Sequence, residues 1–156
     1  MRLRLLLYLW RVLPLPERLR WLAIWWGHPR FVAGAAALIL DDRSRVLLFK
    51  HTYRRRHPWG LPGGWIGRGE RPDEALAREL REEGGLDIAV ERVALADLDV
   101  RHRHLSLIYV CHLRGGTFRP SAEVSACAYF PADALPDVLP AQAQQIRRIL
   151  ALLNRR

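Results

Sequence analysis

Apolar residues come in short blocks set apart by polar, turn-rich tetrapeptides. FVAGAAALIL (31–40) and RVLLFK (45–50) are near-continuous apolar runs split by Asp41-Asp42-Arg43-Ser44, a pattern that predicts a β-hairpin. Tyr53 to Pro62 reads as a loop leading into a short strand and a glycine turn. Further on, IAVERVALADLDV (88–100) and HLSLIYVCHL (104–113) predict two strands joined through Arg101, His102 and Arg103, with a turn at Arg114-Gly115-Gly116-Thr117. VSACAYF (124–130) predicts a last strand, and Pro131 to Leu135 a short turn or helix. From Ala141 the period changes: Ile146, Ile149, Leu150 and Leu153 fall on one side of a closing helix that ends at Leu153. A mixed sheet between helices, an α/β fold, follows from this order.

One more helix is specified between the strands. Pro72 suits a first helical position, Asp73 and Glu74 suit the positive end of the helix dipole, and Gly84-Gly85 supplies a left-handed stop. Leu76, Ala77 and Leu80 form its apolar stripe. On another face lie Glu79, Glu82 and Glu83, spaced i, i+3, i+4, so that three carboxylates project together and repel. Such a face is ordinarily just solvated. Here it follows a glycine turn and is accompanied by Glu70 in the loop and Arg78 beside the cluster, a pair able to lock loop to helix in an orienting role. A hard divalent cation with oxygen ligands, held by carboxylates and substrate phosphates, would relieve the repulsion.

The stretch from Gly64 to Leu86 resembles the Nudix hydrolase signature, G-x5-E-x7-R-E-U-x-E-E-x-G-U with U apolar. Gly64, Glu70, Arg78, Glu79, Leu80, Glu82, Glu83, Gly85 and Leu86 match it without departure. At average residue usage a chance match at all these positions has a probability on the order of 10⁻¹⁰ per starting point. The strand spacing extends the resemblance from about Phe31 to the C-terminus, giving a domain over 31–156. The resemblance implies an α/β/α sandwich, and Mg²⁺, with Mn²⁺ able to substitute, held by Glu82, Glu83 and the backbone carbonyl of Gly63. It implies for Glu79 either a further metal ligand or the base that activates water. Glu123, just before the last strand, stands where related enzymes often place a further ligand or the base; its ordinary reading is an exposed loop glutamate.

Charge and composition add less. The chain carries 25 basic and 16 acidic residues, a net +9, and Lys50 is its one lysine. The arginine excess is as readily genomic bias as selection, but a positive field draws in polyanions either way. Within Tyr53-Arg54-Arg55-Arg56-His57-Pro58-Trp59, Arg54 and Arg56 suit phosphate oxygens and Trp59 suits a base, against the plain alternative of a solvated charge run. His102 and His104, near the end of one strand, are candidate substrate contacts, though not metal ligands in an oxygen-rich site. Cys111 and Cys127 are too few for a disulfide framework, which favours a reducing cytoplasm.

Residues 1–30 stand apart. Their apolar run from Leu5 to Trp10 stops at Arg11, too short for a signal peptide or a spanning helix. Trp10, Trp21, Trp25 and Trp26 among arginines would suit an interfacial helix, but packing on the domain or across a homodimer contact is the favoured expectation. No membrane contact and no specific nucleic-acid partner are expected; the partner is a small nucleotide. The reaction implied is cleavage of a phosphoanhydride in a nucleoside diphosphate linked to another group. The proline and tyrosine that mark ADP-ribose and dinucleoside polyphosphate hydrolases in this family would fall near Arg101 to His104, where neither stands. Nucleoside triphosphates, ADP-ribose and nucleotide sugars all remain open, as do a non-catalytic nucleotide sensor and an RNA-end or membrane-associated hydrolase.

Overall fold

The computed structural model describes residues 16–153. The chain divides between Arg30 and Phe31 into two units. In the first, helix α1 (Glu17–Gly27) follows Pro16, whose carbonyl accepts from the N–H groups of Leu19 and Arg20. It ends with His28 Nδ1 at 2.7 Å from the Ile24 carbonyl, and the Arg30 guanidinium lies 3.9 Å over the Trp25 ring. Trp21, Trp25 and Trp26 are exposed. Trp10 and the run from Leu5 lie outside the described residues. Among the described residues no helix is long and apolar enough to cross a membrane.

The second unit carries β1 (Val32–Ile39), β2 (Val46–His51), β3 (Trp59–Gly60), β4 (Gly63–Trp65), α2 (Pro72–Gly84), β5 (Leu86–Asp99), β6 (His104–Gly116), β7 (Val124–Phe130) and α3 (Pro140–Leu153). The strands form two sheets rather than the single one expected: a mixed four-stranded sheet in the order β4-β1-β6-β5, and an antiparallel three-stranded sheet in the order β3-β2-β7. The β1–β2 hairpin passes from one to the other. Asp41 shapes it, its Oδ1 accepting from the N–H groups of Arg43 and Arg45 at 3.0 and 2.8 Å, with Ser44 in the left-handed region at φ 59°.

Other departures have local causes. The turn expected at Arg114-Gly115-Gly116 is strand, because Leu86 pairs with Gly116 and Asp87 with Gly115, so the ladder runs on past the glycines. Trp59 and Gly60, expected in a loop, form β3 through pairing with Lys50 and Phe49. Pro131 to Leu135 is a turn, not a helix. Strand β5 begins at Leu86, directly after the helix stop at Gly85 (φ 67°).

Alternate residues of β1 feed two cores. Ala35, Ala37 and Ile39 pack with Leu47, Phe49 and the α2 residues Leu76 and Leu80. Leu38 joins Val46, Leu48, Ile108 and the α3 residues Ile146 and Ile149. The period of 2 along the strand thus sets α2 and α3 on opposite sides of the sheets. At Gly84 helix α2 approaches β2 closely, since a Cβ there would sit 2.6 Å from the buried Phe49 ring. Gly84→Ala should therefore cost about 1–3 kcal/mol, the usual range for overpacking, with Phe49→Leu in the same chain recovering part of it. Chemical denaturation measures this, and a midpoint equal to wild type for Gly84→Ala would contradict the close approach.

Candidate active site

Strand β4 is short, and its glycines let helix and sheet meet. Gly63 pairs with Ala36 at φ 150°, and a Cβ on it would fall 2.1 Å from the Ala35 carbonyl oxygen. At Gly64 a Cβ would fall 2.4 Å from the carboxyl carbon of Glu79. The Glu79 carboxylate thus rests on bare backbone, and any side chain at 64 would displace it.

The loop between β4 and α2 is fixed by charge. The N–H of Gly67 donates to Glu70 Oε2 at 3.1 Å, and Glu70 takes a two-pronged grip from Arg78, Nε to Oε1 at 2.8 Å and Nη2 to Oε2 at 3.2 Å. Arg78 Nη1 meanwhile reaches Glu79 Oε1 and Glu82 Oε2, both at 3.0 Å. One planar guanidinium thereby ties loop to helix and neutralises part of the acidic face. These hydrogen bonds from Arg78, with that from Gly67, hold the Glu70 carboxyl below its ordinary range, and Glu70 in turn raises the Arg78 pKa.

Glu83 sits differently. Its Oε2 is buried and has no hydrogen-bond partner among the described residues. Burial first, and then the charges of Glu79, Glu123 and Glu82, push its carboxyl up from 4.5 to about 7, with Arg54 opposing them. Glu123 comes within range because the N–H of Thr52 donates to its backbone carbonyl at 2.9 Å, pinning the loop before β7 to the end of β2. The structure so brings Glu79, Glu82, Glu83 and Glu123 into one electrostatic neighbourhood. Among the described residues no three acidic, histidine or cysteine side chains form a ready-made metal cage. Arg78 holds Glu79 and Glu82 toward itself.

Next to this face lies a cavity of about 160 Å³ lined by Arg54, Gly63, Gly64, Trp65, His104 and Gln142, among others. Of the residues singled out in the sequence for substrate contact, Arg54 and His104 line it. Arg56, Trp59 and His102 do not. Arg56 is exposed; Trp59 packs edge-on against Phe130 at 4.9 Å; His102 Nδ1 is engaged by Asp99 at 2.7 Å. Sequence reasoning missed Trp65, which occupies a variable position of the signature, and Gln142, whose Oε1 accepts from the N–H of Leu61 at 3.0 Å. It also missed His51, 3% exposed, with neither ring nitrogen partnered. Burial, aided by the positive charge of Arg54, drives the His51 pKa down to about 4, so the ring is neutral near pH 7.

The NUDIX domain family profile matches residues 30–153. An ADP-ribose pyrophosphatase from Methanocaldococcus jannaschii is 29% identical over 117 residues, covering 70% of this chain and 66% of that protein. An 8-oxo-dGDP phosphatase from Homo sapiens is 32% identical over 124 residues, 74% of this chain and 36% of that protein. Among solved structures, an ADP-ribose pyrophosphatase from Streptococcus suis shares the fold with a TM-score of 0.69 at 28% identity, covering 79% of this chain and 92% of that one. An α/β/α sandwich with this loop and helix defines the class, and the chain belongs to the Nudix family. It spans 66% and 36% of the lengths of these two relatives, less than two thirds of either.

The raised Glu83 pKa fixes a direction for stability. Between about 4.5 and about 7 the folded chain holds a proton that the unfolded chain releases. The stabilisation is present in full below that window and is lost as pH rises through it. In chelator, Glu83→Gln should therefore gain on the wild type between pH 5 and pH 8, by on the order of 1 kcal/mol, since the carboxyl is only half-buried. Thermal denaturation across that range is the measurement; a constant difference between the two proteins would contradict the assignment.

Proposed function

We propose that this chain hydrolyses the phosphoanhydride of a nucleoside diphosphate linked to another group, with Mg²⁺ or Mn²⁺ as its ion. The observation that carries the reading is the buried, unpartnered Glu83 oxygen set in the field of Glu79, Glu82 and Glu123. Three carboxylates that raise the pKa of a fourth are a strained arrangement without a cation and a favourable one with it, which is how the residues fit a hard divalent ion. Glu83 and Glu82, with the Gly63 carbonyl, would hold it, and Glu79 or Glu123 would complete the set. The bound ion supplies neutralisation of phosphate charge and a water of lowered pKa.

The chain's own groups do the rest. Arg78 fixes the helix against the loop, so the carboxylates keep their positions as charge develops on the phosphate oxygens. Arg54, on the cavity wall, offers a guanidinium to the phosphates entering there. Water attacks phosphorus, the bridging P–O bond breaks, and a carboxylate takes the proton of the water. Glu123 is favoured for that proton: Glu79 is already engaged by Arg78, whereas the Glu123 carboxylate accepts no hydrogen bond among the described residues. The products are a nucleotide and a second fragment that keeps the other phosphate. The relatives named as ADP-ribose pyrophosphatases favour ADP-ribose among the candidate substrates.

Glu82→Gln and Glu83→Gln should each lower turnover of the best substrate in a nucleotide panel by at least about 10²-fold, the scale on which catalytic groups act. Near wild-type rates in both, or full activity of the wild type in chelator, would sink the reading. At saturating Mg²⁺, Glu123→Gln should depress kcat more than Glu79→Gln. The reverse ranking would give the proton to Glu79.

A further inference from the structure

We propose that the cavity is the seat of the nucleoside half of the substrate, with the base laid on Trp65 beside His104 and the phosphate turned toward Arg54. The inference rests on the phosphoanhydride hydrolase reading and adds which residues choose the substrate. Its basis is cross-strand register. Strand β1 pairs Gly34 with Trp65 on one side and with Ser106 on the other, and pairs Val32 with His104, so these side chains share one face of the sheet. The intervening Ala35 faces the core under α2. Trp65 and His104 meet edge-on, their ring centroids 5.0 Å apart at 63°, and Trp65 remains 59% exposed. An aromatic plate left open on a cavity wall is what a flat base stacks on.

The floor under the plate is kept bare. A Cβ on Gly34 would lie 3.1 Å from His104 Nε2 and 3.6 Å from Trp65 Cε3, so a larger side chain there would press on both rings. The other end of the cavity is polar. Arg54 Nη1 is buried without a partner among the described residues, and it converges with Gln142 Oε1 and His51 Nε2 above Gly60, at 2.9, 2.9 and 3.5 Å from the point a Cβ on Gly60 would take. His51, being neutral, adds no competing charge, so Arg54 is the group on that wall that calls for an anion. Arg54 also acts on Glu83. A ligand with a flat ring at one end and a phosphate at the other therefore fits in one direction, and its phosphate is delivered to the carboxylate face.

The test is binding without turnover. The full chain is titrated calorimetrically with AMP, GMP, UMP and CMP, and with ribose 5-phosphate, in the presence of Mg²⁺. At least one mononucleotide should bind more tightly than ribose 5-phosphate. Trp65→Ala should erase that preference, weakening the mononucleotide roughly 5- to 150-fold, the range reported for base–aromatic stacking, while leaving ribose 5-phosphate unchanged. Trp65→Phe should restore most of it, and Gly34→Val should act as Trp65→Ala does. Arg54→Gln should weaken the mononucleotide and ribose 5-phosphate alike. The proposal is overturned if no mononucleotide outbinds ribose 5-phosphate, which would put a sugar in the cavity, or if Trp65→Ala binds every nucleotide as the wild type does. Either result leaves the effects of Glu82→Gln, Glu83→Gln and chelator on hydrolysis standing, so the two readings fail separately.

Discussion

The grip of Arg78 on Glu70 is the contact on which the rest of the site depends. Four glutamates, at 70, 79, 82 and 83, crowd a loop and one helix face, and left to themselves they would push the loop away. A guanidinium fork fits here where an ammonium would not, because it binds both oxygens of Glu70 while a third nitrogen reaches Glu79 and Glu82. Glu83 lies beyond that reach, and it is the carboxyl whose pKa rises. The arrangement divides the acidic face into a part satisfied by protein and a part left wanting positive charge.

What the sequence made legible is what local rules decide. Helix α2 could be read from its caps and its apolar stripe, and Leu76 and Leu80 are fully buried. Strand β7 runs over the very residues its apolar run indicates. The failures share another cause. Gly115-Gly116 looks like a turn by composition, yet the pairing with Leu86 and Asp87 carries the strand through it. Trp59 stands beside arginines in sequence, and only the fold shows its ring packed edge-on against Phe130.

The cavity was illegible for a related reason. Its wall is a row taken from β4, β1 and β6, so Trp65, Gly34 and Ser106 become neighbours only once register is known. His51 closes an apolar run and reads as an unremarked strand end; the two nitrogens that burial leaves unpartnered show only in three dimensions. Period and capping are properties of a segment, while a binding surface on a sheet is a property of pairings between distant segments.

The parallel pairing of β1 with β6 has a consequence for how the chain folds. Strand β4, which carries the site glycines, is three residues long at the sheet edge and pairs with β1 as its one strand neighbour. Strand β1 is in turn held on its other side by β6, whose residues arrive only after α2 and β5 have been threaded. Closing so long a loop is entropically slow, and the reward comes late. The edge strand that carries the site glycines is therefore fully supported only once that distant pairing has closed.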